Sequence, residues 1–435
     1  MVTKVLRIWL NRWWFKRLVN RLKVTYMKRN LISIALWAML SGTVALQTGC
    51  KSTENAENSV TKVVNFEKAK VKSTFIKGAD VSTLIDMEKA AFKYFDENGN
   101  QKDVLAILKE QGFDYIRVRL WNNPKDAHGN YYGAGNNDLA TDLEIAKRAK
   151  ALGFKVLLDF HYSDFWTDPG KQFKPKAWEN LSFEELNEAI YSFTKDTIKS
   201  FKDAGLMPDM VQIGNEINGG MLWPDGKSYG LDGREFDRLA SLLKSAIKGF
   251  KEAATDSECK VMLHLAQGTK QDAFKWWFDE ITSRKVDFDI IGMSMYTWQD
   301  GPISALKDNI KWVKQTYKKD VIVVEGSYPY TLRSEDRLSN DFTKADEYRA
   351  GYSATVEGQY LYLKDLLEGI DEAGGSGFFY WEAAWKTGKD ITWATEAGMQ
   401  YIKCGRECQT GNTRENQALF DKDGKALPSL KVFNN

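Results

Sequence analysis

Histidine, proline and cysteine are scarce in this 435-residue chain, at three, eight and four residues respectively. The three histidines, His128, His161 and His264, lie far apart, so no zinc-type spacing of Cys and His occurs. So few prolines and no low-complexity tract point to a folded body rather than extended linkers. No glycine-rich phosphate loop follows an early apolar run, which argues against a nucleotide-binding open sheet. Excess charge is missing too: the net charge is only +2, and it is unevenly spread. Nine of the 61 Lys and Arg residues lie in residues 1–50, which contain no Asp or Glu. The remainder therefore carries 52 bases against 59 acids. A mildly acidic body is a poor binder of nucleic acid, and no nucleic-acid partner is expected.

The basic excess belongs to targeting. Met27-Lys-Arg-Asn30 is a basic start, Leu31 to Leu46 is apolar, and Leu46-Gln-Thr-Gly-Cys50 closes the stretch with small residues before a cysteine. This is the layout of an export signal rather than a spanning helix. The Gly-Cys junction resembles the lipobox of bacterial lipoproteins, which implies acylation of Cys50 and a membrane contact made only through that lipid. Gln47 stands where that pattern has an apolar residue, and ordinary signal cleavage is the alternative. Residues 1–26, basic and carrying Trp9, Trp13 and Trp14, fit a start at Met27 better than a domain. The expected organisation is a signal segment over 1–49, a lipidated cysteine with a polar tether over 50–72, and one domain over 73–435. The expected location is the periplasm or surface of a bacterial envelope, and the expected state a monomer. Cys259 reads as a buried thiol. Cys404 and Cys408, four apart in a polar loop, suit either a small disulfide in an oxidising compartment or two free thiols.

From residue 74 short apolar runs alternate with longer amphipathic ones. The runs Thr74–Asp80, Tyr115–Trp121, Lys155–His161, Met210–Glu216, Lys260–Leu265, Ile290–Tyr296, Val321–Glu325 and Gly377–Glu382 predict eight strands. Helices are predicted over Leu105–Gly112, Asp138–Leu152, Ser182–Ala204, Glu235–Ala254, Ser304–Tyr317 and Ser353–Ala373, several of them closed by a glycine. Eight such units without a compositional break predict a single α/β domain, the (β/α)8 TIM barrel. In that fold, polar residues at strand ends read as function.

Two strands finish on a glutamate: Val211-Gln-Ile-Gly-Asn-Glu-Ile-Asn218 and Val321-Ile-Val-Val-Glu-Gly-Ser-Tyr-Pro329. Three barrel positions separate them, which places Glu216 and Glu325 across one mouth, about 5 Å apart. Glycoside hydrolysis with retention needs such a pair. Arg117 or Arg119, two apart on one strand face, would hold one carboxylate ionised. Asp80 and Asn122 end or follow other strands, and Asp159 and Asp164 would orient His161 and its loop. Trp121, Trp166, Trp298, Trp381 and Trp385 fall at strand ends, where flat faces can stack on sugar rings. Glu382, between two of them, suits a substrate-facing wall. Trp276 and Trp277 read as core, and the end of the fifth strand carries no signal.

These segments, with Lys77-Gly-Ala-Asp-Val-Ser82, Ile116-Arg-Val-Arg-Leu-Trp-Asn-Asn-Pro124, Asp159-Phe-His-Tyr-Ser-Asp-Phe-Trp-Thr-Asp-Pro169 and Glu415-Asn-Gln-Ala-Leu-Phe-Asp421, resemble the endo-β-1,4-galactanases of glycoside hydrolase family 53. The resemblance runs from near residue 75 to the C-terminus. It implies Glu216 as acid/base, Glu325 as nucleophile, Asn215 on the sugar 2-hydroxyl and Tyr296 steadying Glu325. It also implies β-1,4-galactan, a pectic polysaccharide, as substrate, and no cofactor. Glu325 is followed here by Gly-Ser-Tyr-Pro where the family more usually has Thr-Ala-Tyr-Pro. Some bacterial members bind calcium after strand seven, but Ser334-Glu-Asp-Arg-Leu-Ser-Asn-Asp341 lacks that spacing and the histidine, so no metal is expected. A retaining endo-glycanase acting on mannan or xylan stays open, as does a surface glycan-binding lipoprotein without turnover.

Overall fold

The computed structural model describes residues 64–435 apart from positions 231, 256, 406 and 407. The expected signal segment, Cys50 and most of the tether lie outside the described residues. Eight parallel strands close into a barrel: β1 (Ile76–Asp80), β2 (Tyr115–Leu120), β3 (Lys155–Phe160), β4 (Met210–Ile213), β5 (Lys260–Leu265), β6 (Ile290–Ser294), β7 (Asp320–Glu325) and β8 (Gly377–Tyr380). Long helices return the chain after the first seven: α1 (Val104–Glu110), α2 (Leu139–Ala151), α3 (Phe183–Asp203), α4 (Glu235–Ala253), α5 (Gln271–Ser283), α6 (Ile303–Tyr317) and α7 (Val356–Glu372). After β8 an irregular segment ends in a 3-10 turn over Pro428–Phe433 and fills the eighth position. The predicted TIM barrel is the observed fold.

Local chemistry explains the boundaries. Helix α3 starts with a reciprocal capping box between Ser182 and Glu185, and its buried stripe of Leu186, Ile190, Thr194, Ile198 and Phe201 follows the helical period. Gly112, just past α1, has φ +91°, and a Cβ there would lie 2.3 Å from the Phe433 carbonyl oxygen. Only glycine meets both demands. Trp277 on α5 is core as expected; its neighbour Trp276 is 45% exposed, because adjacent helical residues face about 100° apart. Residues 64–72 do not behave as a free tether. The amide of Ala69 donates to the Val432 carbonyl at 2.9 Å, and Phe66 packs edge-on against Tyr360 at 5.0 Å, so the docked chain begins before residue 73.

Inside the barrel two layers stack. The lower one is apolar, with Tyr115, Leu157, Met210, Met262, Ile322 and Phe379 packed together. Gly78 makes room for the Phe379 ring, which a Cβ at residue 78 would meet at 2.2 Å. Further along the strands, on the same inward face, the side chains become Asp80, Arg117, Asp159, Gln212, His264 and Ser294, all buried.

Candidate active site

The upper layer floors a cleft of about 400 Å³ at the C-terminal ends of the strands, lined by both expected glutamates. Strand β4 ends at Ile213, earlier than the sequence suggests. Gly214 then turns with φ +84° and Glu216 sits at φ +48°, a left-handed conformation that a glutamate rarely adopts. The Gln172 amide braces this turn by donating to the Asn215 carbonyl at 2.8 Å. Glu325 reaches the cleft by a different device. Val324 packs in the interior, so strict alternation would turn Glu325 outward. A register irregularity between β6 and β7 at Met293/Ser294 instead sets Glu325 opposite Ser294 and aims it into the mouth.

The two carboxyl groups each bring an oxygen within 4.8 Å of the other, in unlike surroundings. Glu216 Oε1 accepts from the Ser294 hydroxyl at 2.6 Å, and that hydroxyl lies 2.9 Å from His264 Nε2. Among the described residues no donor meets the other oxygen of Glu216. Burial, and then the charge of Glu325, push the Glu216 carboxyl well above the ordinary range. Burial raises Glu325 as well, but the Arg117 guanidinium, 3.6 Å away, and the Tyr296 hydroxyl, donating at 2.9 Å, oppose it. The geometry therefore keeps the shared proton on Glu216. His264 is driven below its usual value by burial and is neutral.

Arg117 is the centre of the floor. It donates to Asp80 at 2.8 Å, to Asp159 at 2.8 Å and to the Asn215 side-chain oxygen at 2.9 Å. Asn215 Nδ2 in turn donates to the Thr167 carbonyl at 2.9 Å. Asp159 also meets His161 Nε2 at 3.1 Å, whereas Asp164 caps the following loop through the amides of Asn123 and Lys176 and makes no bond to His161. Glu216, His264 and Glu325 stand together, and both His264 nitrogens are engaged by protein, Nδ1 by Gln212 at 3.1 Å and Nε2 by Ser294.

Several expected contributors are engaged elsewhere or stand back from the cleft. Arg119 lines the cleft but pairs with Glu382, not Glu325; the pair is buried, and the Thr83 hydroxyl donates to Glu382 at 2.7 Å. Glu382 is thus a buried ion-pair partner instead of a wall, its carboxyl pushed up to about 7 mainly by burial. Trp121 is fully buried and packs edge-on behind Trp166 at 5.3 Å. Trp298 packs against Tyr296 at 5.2 Å and against Phe342, buttressing the tyrosine without lining the cleft. Asn122 stays in the loop after β2, its amide on the Ser163 carbonyl. Trp166, Trp381 and Trp385 do line the cleft, and Trp393, which the sequence did not single out, joins them.

In the loop after β7 the carboxylates are engaged by protein donors. Glu335 accepts from the buried Lys386 ammonium at 2.9 Å, Asp336 from the Asn412 amide at 2.7 Å, and Asp341 from Arg414 at 2.5 Å. Cys404 and Cys408 are paired in a disulfide with Cα atoms 6.1 Å apart; Cys259 is free and half-buried.

Residues 76–433 match the model of glycosyl hydrolase family 53. The chain belongs to this family and is a glycoside hydrolase. It is 37% identical to an endo-beta-1,4-galactanase of Bacillus subtilis over 377 residues, covering 82% of this chain and 85% of the relative. An arabinogalactan endo-beta-1,4-galactanase of Cellvibrio japonicus is 36% identical over 367 residues, covering 82% and 90%. Among solved structures, the GH53 catalytic domain of Ignisphaera aggregans superposes with a TM-score of 0.78 at 41% identity, covering 84% of this chain and 97% of that one.

Proposed function

We propose that this family 53 hydrolase is an endo-acting β-1,4-galactanase that works by double displacement with retention. One observation carries the mechanism: two buried carboxyl groups with oxygens within 4.8 Å, one kept protonated and the other facing a guanidinium. That separation suits direct attack and is too short to seat a water between the groups and the sugar. In the first step Glu325 attacks the anomeric carbon. The glycosidic bond breaks, and Glu216 gives its proton to the departing oxygen. Water then attacks the glycosyl ester, Glu216 takes the proton, and Glu325 leaves as carboxylate. Asn215, held between Arg117 and the Thr167 carbonyl, faces the sugar 2-hydroxyl in this reading. Galactan as substrate rests on the named activity of the relatives. The test is release of reducing ends from galactan, mannan and xylan by wild type and Glu325→Ala. Turnover of galactan alone, abolished by the substitution, is expected; binding without products from wild type would overturn the enzyme reading.

Export with lipidation at Cys50 is the accompanying proposal, resting on Leu46-Gln-Thr-Gly-Cys50. Labelled palmitate should enter the wild-type chain but not Cys50→Ser, and equal labelling of both would remove it.

A further inference from the structure

Arg414 lines the cleft and has no task in the mechanism above; Arg119 and Lys171, which line it too, are paired with Glu382 and Asp168. It comes from the irregular segment after β8, just ahead of Glu415-Asn-Gln417. Its guanidinium lies 4.9 Å from the Tyr296 ring centroid and 5.3 Å from that of Trp381. It therefore sits between the tyrosine that bonds Glu325 and the tryptophan wall. Its one side-chain hydrogen bond among the described residues runs from Nε to Asp341 at 2.5 Å. An arginine kept only to neutralise a carboxylate engages it with two parallel donors. Here a single donor is used; Nη1, buried, meets no acceptor among the described residues, and the side chain keeps 18% of its surface exposed through its remaining edge. Buried donors without acceptors are uncommon and call for an explanation.

The mount is rigid. The Asp341 amide donates to the Thr413 carbonyl at 3.0 Å, and the Arg414 amide donates to the Asn412 side chain at 2.9 Å. Thr413 and Asp341 also line the cleft. The guanidinium is thus fixed in plane, with Nη2 left as the donor on its open side.

We propose that Arg414 is a specificity-determining residue that donates from Nη2 to hydroxyl oxygens of a sugar on the nucleophile side of the scissile bond. The reading rests on the galactanase assignment for its substrate. Asp341 already balances the positive charge, so a neutral hydroxyl pair suits the site better than a sugar carboxylate. Its place over the Tyr296 and Trp381 rings sets the fork beside the partner of Glu325 and the tryptophan wall.

The test compares wild type, Arg414→Ala and Arg414→Lys on galactan, mannan and xylan, each with full kinetics, a pH profile and a melting curve. Activity of the wild type on another arm would correct the substrate assignment, and Arg414 is then scored on that arm. For Arg414→Ala, KM should rise about tenfold to a hundredfold with kcat nearly unchanged. The pH limbs should stay in place. Arg414→Lys, which keeps the charge but not the fork, should not restore KM, and it serves alone if the alanine variant does not fold. A KM within twofold of wild type, rescue by lysine, or a fall in kcat with a displaced pH limb would each overturn the proposal. The last result would mean that Arg414 acts through the charge of Glu325 instead of on substrate.

Discussion

The lower and upper halves of the barrel interior are built on the same strands with the same alternation, yet they are made of opposite materials. Below, Tyr115, Leu157, Met262 and Phe379 fill space by apolar packing. Above, Asp80, Arg117, Asp159, Gln212 and His264 occupy equally buried positions. Buried charges cost desolvation free energy that apolar residues do not, and such pairs are often no more stable than apolar replacements. The upper half therefore trades stability for a field. Arg117, tied to Asp80, Asp159 and Asn215, is fixed near Glu325, and among the described residues no guanidinium is paired with Glu216. Two chemically identical side chains thereby come to hold their protons differently.

The sharpest break in the comparison is Glu325→Gln. Activity should fall by about 10⁴-fold or more, while the melting temperature should hold or rise, because a buried charge is removed. Loss of both activity and fold would show that the upper half is structural. Next in size, Phe379→Ala and Arg117→Met should each destabilise by about 3–5 kcal/mol, one by opening a cavity and the other by stranding Asp80 and Asp159. In urea melts they should look alike. Kinetics should separate them, since protein that stays folded should keep kcat and its pH profile in the Phe379 variant and lose both in the Arg117 variant.

How far this division could be read from sequence depends on the residue. Strand alternation made Arg117 and Arg119 legible as one inward face, and Gly-Asn-Glu216 announced a strand end. Alternation misleads at Glu325, whose inward aim comes from a register irregularity with no sequence mark. His264 was within reach of the sequence: it shares the inward parity of Met262 in Val261-Met-Leu-His-Leu265, although the strand end beyond it looked bland. The tryptophans show the opposite error. Strand-end position does not distinguish Trp381, open to the cleft, from Trp121 or Trp298, which support other side chains. Arg414 arrives from an irregular segment, where no periodicity predicts a direction.

Two smaller effects refine the comparison. Ser294→Ala removes a hydrogen bond that favours ionised Glu216, so the Glu216 carboxyl should rise further. The alkaline limb of the rate profile should then move up by roughly half a unit to one unit. A downward move would mean that the serine favours the protonated form. Glu216→Gln bears on stability through the same group. A carboxyl raised above its unfolded value contributes stability below the unfolded pKa, and this is lost as pH rises through the folded one. The glutamine variant should therefore melt higher than wild type at alkaline pH, and the gain should shrink below pH about 4, where both states of Glu216 are protonated.

The central claim is that Glu325 attacks carbon while Glu216 handles the proton, and the stereochemistry of the first product tests it most directly. Proton NMR followed during the first minutes of galactan hydrolysis reads the anomer released before mutarotation. The account predicts the β-anomer at the new reducing end. Initial release of the α-anomer would mean that water, not Glu325, attacks the sugar, and would contradict it.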